Sequence, residues 1–284
     1  MKLGVSAFAW TAKFDRSHLR LVPLVKEMGF SGFEIAMFDP ADLAVKDIRR
    51  AFETSDLECT VCAILPPGIN PISPDAAVRK VSVQHLVKCI ETASALGAKL
   101  LGGPLYAPIG YLPEHRPTKD EWSWAVDAFQ SVCDVLDSCD VTLSIEPVNR
   151  SETFFVRTAS EASSLCEAIG HPRFGVTIDT FHANIEERDI ADAVTSLGPH
   201  LKHIHASEND RGPLGLGHVD FRRIVSALKK IGYNGYLMIE GFGYSPQEQN
   251  GPGALWADTS VSPEKIASTG ARFLNQVLNE AAAS

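Results

Sequence analysis

The sequence predicts an α/β fold, a single (β/α)8 barrel of the TIM type, on three observations. Short apolar runs alternate from end to end with segments whose apolar residues recur at helical spacing, and there are eight such runs. The junctions Met28-Gly29-Phe30-Ser31-Gly32-Phe33 and Ile231-Gly232-Tyr233-Asn234-Gly235-Tyr236 are near copies, as a repeated module with a glycine helix stop would produce. No Pro/Gly/Ser-rich linker divides the 284 residues, so residues 1–284 read as one domain.

The eight predicted strands are, in order, Leu3–Trp10, Gly32–Phe38, Cys59–Leu65, Leu100–Tyr106, Thr142–Val148, Gly175–Asp179, Leu201–His205 and Tyr236–Phe242. Helical periodicity fills the intervals, most plainly over Val78–Leu96, Trp122–Leu136 and Phe221–Ile231. Glu186 and Glu187 read as acids favouring a helix N-terminus. An open doubly wound sheet is the competing arrangement. It leads one to expect a glycine-rich nucleotide turn after the first strand, and Ala9-Trp10-Thr11-Ala12 is not one. Six cysteines are scattered through regular segments and are expected to be reduced, buried thiols. Cys59 and Cys62 form a CxxC, but within a strand, where residues three apart face opposite sides.

The net charge of −9, with no basic stretch, argues against a nucleic-acid partner. There is no apolar run long enough to span a membrane and no signal-peptide pattern at Met1-Lys2-Leu3-Gly4, so a soluble, cytoplasmic chain is expected.

The last four strands end alike: Ser144-Ile145-Glu146, Thr177-Ile178-Asp179, His203-Ile204-His205 and Met238-Ile239-Glu240. Strand side chains alternate, so if each Ile faces the surrounding helices, Glu146, Asp179, His205 and Glu240 point into the barrel. The separations are 33, 26 and 35 residues (179−146, 205−179, 240−205), each about one βα unit. Three carboxylates crowded in a dry pocket repel one another, and a divalent cation removes that repulsion. Oxygen-rich ligation with one imidazole suits Mn²⁺, with Co²⁺ or Mg²⁺ as alternatives. The bland alternative is four separate strand-end residues, each making a cap or a salt bridge.

Glu152, His182 and Arg211 fall in the loops after these strands, where reacting groups collect. Each could equally be a surface acid, a helix-start residue or a solvated charge. His203 is expected inward as a packed barrel residue, one layer below His205. Phe8, Trp10 and Phe242, at strand ends, could wall a substrate pocket or plug the barrel. Gly212, Gly215 and Gly217 look like a phosphate turn, although Pro213 removes one N–H donor from it.

The segments Glu146–Glu152, Asp179–Glu187, His205–Gly215 and Ile239–Phe242 resemble the ketose 3-epimerases that act on D-tagatose, D-allulose (psicose) and L-ribulose. These belong to the xylose-isomerase-like sugar isomerase/epimerase superfamily. The resemblance implies metal ligands at Glu146, Asp179, His205 and Glu240, and substrate contacts at Glu152, His182, Arg211, Phe8 and Phe242. It implies inversion at C3 of a free ketose through an enediolate, with Glu146 and Glu240 as acid and base, and a small sugar and further copies of the chain as partners. Tyr106–Pro117 matches less clearly, and sugar preference is expected to be decided there. The competing activities are an aldose–ketose isomerase of the hydroxypyruvate or xylose type, an inosose dehydratase, an endonuclease IV-like nuclease, and a non-catalytic sugar-binding barrel.

Overall fold

Eight parallel strands close on themselves in chain order, the first pairing with the eighth, in a computed structural model that describes residues 1–243 and 261–283. Closure rules out the open doubly wound sheet. The strands are β1 Lys2–Ser6, β2 Gly32–Met37, β3 Glu58–Ala63, β4 Leu100–Gly103, β5 Thr142–Ile145, β6 Phe174–Asp179, β7 Leu201–Ala206 and β8 Tyr236–Ile239. Parallel neighbours need a crossover, and helices supply each: α1 Leu21–Glu27, α2 Val45–Ser55, α3 Ala76–Leu96, α4 Lys119–Gln130, α5 Cys133–Cys139, α6 Ala159–Ile169, α7 Thr180–Glu186, α8 Ile190–Leu197 and α9 Phe221–Lys230, with α10 Pro263–Ala283 after the last strand.

Several strands stop short of where their apolar composition does, because those residues go on to line the barrel mouth. The chain leaves β1 at Ser6, whose hydroxyl accepts from the Phe8 N–H to start a 3-10 turn over Ala7–Ala9. It leaves β4 at Gly103, which has φ +123°, and a Cβ there would lie 2.0 Å from the Ala63 carbonyl oxygen. Only glycine permits that approach. The single helix expected over Trp122–Leu136 is two, broken where the Ser131 hydroxyl bonds the Ala128 carbonyl and Val132 leaves helical geometry. Glu186 and Glu187 correct the sequence expectation. They end α7 instead of beginning a helix, Glu186 accepting from Arg150 and Glu187 from the Ala159 N–H. Asp189 is the residue that caps the next helix.

The core lies between sheet and helices. Ile145, Ile178, Ile204 and Ile239 are all buried in it, and α10 approaches so closely that a Cβ on Gly270 would meet Ile239 at 2.9 Å. With these Ile facing outward, their polar successors face the barrel axis. The cysteines are free thiols, but Cys133 and Cys139 are only half-buried, where full burial was expected, because they are the two end residues of the short, mostly unburied α5. Cys59 joins the outer core and Cys62 packs with Phe8, Ala36 and Phe242, on opposite faces of β3. Among the described residues no helix is long and apolar enough to cross a membrane.

Candidate active site at the barrel mouth

The β6–β7 register sets Asp179 directly beside His205. Glu146 and Glu240 stand one residue beyond their strands and continue the ladder, Glu146 N–H donating to the Gly103 carbonyl at 3.1 Å and Glu240 N–H to that of Ala206 at 3.0 Å. One donor atom from each of the four lies within 4.8 Å of the others, and all four residues are buried. His205 Nδ1 is 3.5 Å from Glu146 Oε1 and 3.6 Å from Glu240 Oε2, and neither nitrogen of its ring makes a hydrogen bond. Buried polar atoms are rarely left in that state. An imidazole nitrogen turned to two carboxylates without bonding them, with a third among the four donors within 4.8 Å, is disposed as a metal ligand, and an O₃N donor set suits a divalent cation. The residues therefore fit the metal that the sequence pattern suggests.

The electrostatics record the crowding. Burial by itself would raise Asp179, but the Arg211 guanidinium and the imidazoles of His182 and His205 outweigh it and hold the acid below the ordinary carboxylate range. Glu240, equally buried and with Asp179 and Glu146 beside it, is pushed upward in spite of Arg211 and His205. Burial opposes charge on His205, and the carboxylates of Glu34, Glu240 and Glu146 overcome it and raise the imidazole.

Arg211 stands in the left-handed region at φ +60°, a conformation uncommon outside glycine and concentrated at functional sites. Its Nη1 donates to Asp179 at 2.5 Å, to Glu240 at 2.7 Å and to the Ser207 hydroxyl at 2.8 Å. The guanidinium is sandwiched by the rings of Phe181 and Phe242, at 4.2 and 4.9 Å. The residue expected at substrate oxygens is thus bound to two of the four candidate ligands, supplying their positive charge.

A cavity of about 200 Å³ opens above this cluster. Glu146, Glu152, His182, Arg211, Glu240, Phe8 and Phe242 all line it, so the structure brings the predicted residues to one place, with Asp179 and His205 deeper. Phe8 meets Phe242 edge-on at 5.8 Å, forming an apolar wall. Trp10 instead packs against Phe33 and donates to Glu264, outside the cavity. The side-chain amide of Asn149 lies 2.8 Å from Glu152 and 2.9 Å from His182 Nδ1, leaving Nε2 of that ring toward Arg211 at 3.2 Å. The Tyr106–Pro117 loop contributes Ile109 to the lining, and its Gly110 N–H bonds the Glu152 carbonyl at 2.8 Å. A larger cleft of about 950 Å³ lies at the opposite end of the barrel. Lys26 pairs with Asp56 and Arg49 with Glu53 within it, and it holds none of the quartet and none of the residues lining the smaller cavity.

Three contributors escaped the sequence reading. Asn149 gave no signal beyond its loop position. Glu34 did, being a charged residue in the middle of the apolar strand Gly32–Met37. Glu208 settles the glycine turn, since its buried carboxylate accepts from the Gly215 N–H at 2.8 Å and lies where a Cβ on Gly217 would be, 2.2 Å away. The chain's own anion fills the turn that a phosphate would need.

The profile of the "Xylose isomerase-like TIM barrel" family matches residues 22–277. A "Probable ketose 3-epimerase" from Synechocystis sp. is 31% identical over 97% of this chain and 96% of its own length. An "L-ribulose 3-epimerase" from Mesorhizobium japonicum is 31% identical over 88% of this chain and 84% of its own. Among solved structures, a D-allulose 3-epimerase from Methylomonas sp. in complex with D-allulose superposes with a TM-score of 0.91 at 26% identity, covering 97% of this chain and 96% of that one.

Proposed function

The chain belongs to the xylose isomerase-like TIM-barrel family and within it to the ketose 3-epimerases, carbohydrate isomerases, and we propose that it inverts C3 of a free ketose such as D-fructose/D-allulose, D-tagatose or L-ribulose. The observation that carries this reading is the quartet Glu146–Asp179–His205–Glu240, with His205 Nδ1 turned toward Glu146 and Glu240 at the floor of a cavity walled by Phe8 and Phe242. All of residues 1–284 act as one catalytic unit in this proposal.

Glu146, Asp179, His205 and Glu240 would hold a divalent cation, Mn²⁺ by the hardness of the donors, with Co²⁺ or Mg²⁺ as substitutes. When bound, the cation supplies Lewis-acid polarisation of the ketose oxygens, which acidifies the proton on C3. Glu146 and Glu240 come from strands five and eight, so they approach the sugar from different sides, and they serve as base and acid for the proton on opposite faces of C3. Burial of Glu240 beside other acids favours its protonated form. Burial pulls His182 below the ordinary imidazole range, and Asn149 holds its ring in place to bond a sugar oxygen. Arg211 steadies the negative charge that develops on O2, and Glu152 bonds a further hydroxyl. Phe8 and Phe242 cover the apolar face of the sugar and exclude water. The test is incubation with Mn²⁺ and a panel of free ketoses and aldoses in deuterated water, with identification of products and of the labelled carbon. Label at C3 with an epimeric ketose supports the proposal; label at C1 with an aldose product refutes it.

A further inference from the structure

One acid deep in the barrel has no part in the chemistry above. Glu34 lies on β2, across the barrel from the strands that carry the quartet, and is wholly buried. Its Oε1 is 3.0 Å from Nε2 of His205. Its Oε2 is 3.1 Å from Nε2 of His203 and accepts from the Thr60 hydroxyl at 3.2 Å. A carboxylate at the centre of a barrel is costly to bury without partners, and here two imidazoles and a hydroxyl converge on it.

We propose that Glu34 is a positioning residue for His205, fixing which ring nitrogen faces the quartet. This rests on the reading that the quartet holds a divalent cation. A neutral imidazole carries one N–H and one lone pair, and an acceptor at one nitrogen settles where the proton sits. Neither ring nitrogen makes a hydrogen bond in this structure, but Nε2 lies nearer an acid, 3.0 Å from Glu34 against 3.5 and 3.6 Å from Nδ1 to Glu146 and Glu240; with Glu34 taking the proton side at Nε2, the lone pair is left on Nδ1. The anionic partner also makes the ring a stronger donor, as carboxylates behind ligating histidines do. His203 occupies the other carboxylate oxygen and so keeps Glu34 from turning away from His205. β2 thereby reaches across the barrel to set a ligand delivered by β7.

Glu34→Gln keeps the size of the side chain and removes the charge. Mn²⁺ binding to metal-stripped protein, followed by calorimetry and by elemental analysis, is expected to give one ion per wild-type chain. In the variant, affinity is expected to fall by about 10- to 100-fold, with circular dichroism unchanged. Turnover lost at low Mn²⁺ should return as Mn²⁺ is raised to saturation, with KM for the ketose unaltered. A merely structural role would leave the Mn²⁺ affinity alone, and that result overturns the proposal. So does activity that excess Mn²⁺ cannot restore, which would give Glu34 a direct part in the reaction. Cys62 lies within the same reach of Glu34 and His205, so two ions per wild-type chain falling to one in the variant would make Glu34 a ligand, again overturning it. If wild-type protein binds no divalent ion, the functional reading fails as well. Should the variant not fold, nitrogen-15 spectra of Mg²⁺-loaded wild type decide the matter: a proton on Nε2 of His205 supports the proposal and a proton on Nδ1 refutes it.

Discussion

Replacing Arg211 by Met tests whether its guanidinium and a bound cation neutralise the same carboxylates. The substitution keeps most of the apolar stem between Phe181 and Phe242 and removes the charge that bonds Asp179 at 2.5 Å and Glu240 at 2.7 Å. Breaking a buried ion pair by deleting one partner costs about 3–5 kcal/mol, since the other charge stays buried and uncompensated. For 284 residues the unfolding entropy is about 0.6 kcal/mol per degree, so Tm should fall by about 5–8 °C in the presence of chelator. Mn²⁺ at about 100 times its Kd stabilises a folded protein by about 2.7 kcal/mol. In wild type the ion must first draw Asp179 and Glu240 away from Arg211; in the variant it meets them free. The variant should therefore bind Mn²⁺ more tightly, and the Tm gap should narrow as Mn²⁺ is added. Calorimetric scans of both proteins with chelator and with saturating Mn²⁺ measure this directly. An equal gap in the two conditions, or no gap in chelator, would refute the idea that the two cations share a site.

Asp179→Asn and His205→Ala should each lose bound Mn²⁺ and activity together while circular dichroism stays native; full occupancy by elemental analysis in both would remove the quartet as the metal site. Glu240→Gln keeps an oxygen donor but cannot carry a proton, so it should retain part of the metal yet fail to exchange the C3 proton with deuterated solvent. Wild-type exchange would take Glu240 out of the acid–base pair. Phosphate esters of D-fructose, D-tagatose and L-ribulose should be no better than the free sugars, because the Glu208 carboxylate already takes the Gly215 N–H and fills the space beside Gly217. A preference for the esters above about tenfold in kcat/KM, roughly 1.4 kcal/mol of transition-state binding, would contradict that. Gly103→Ala should destabilise the protein by more than about 3 kcal/mol, since the new methyl collides with the Ala63 backbone and not with a movable side chain; a Tm within a degree of wild type would show that β4 can shift.

The barrel and the quartet could be read from the chain alone because both rest on local regularities. A strand repeats every two residues and a βα unit every thirty or so, so an Ile followed by a polar residue at four successive strand ends specifies which way each side chain points. Those four Ile are buried between sheet and helices, and the residues after them meet within ligand reach. Local chemistry also misled where two local readings compete. Glu186 and Glu187 suit a helix start by charge, yet Arg150 and the Ala159 N–H hold them at a helix end. The glycines at 212–217 are only a weak phosphate signal beside Pro213, and Glu208, folding back from the preceding turn to the Gly215 N–H, agrees with reading them as no phosphate site. Closing the barrel decided the rest. Glu34 and His203 are 169 positions apart in the chain, and no periodicity relates residues at that distance. They become neighbours because β2 and β7 face each other across the axis, and only that closure brings Glu34 within 3.0 Å of His205 Nε2 while Nδ1 faces Glu146 and Glu240.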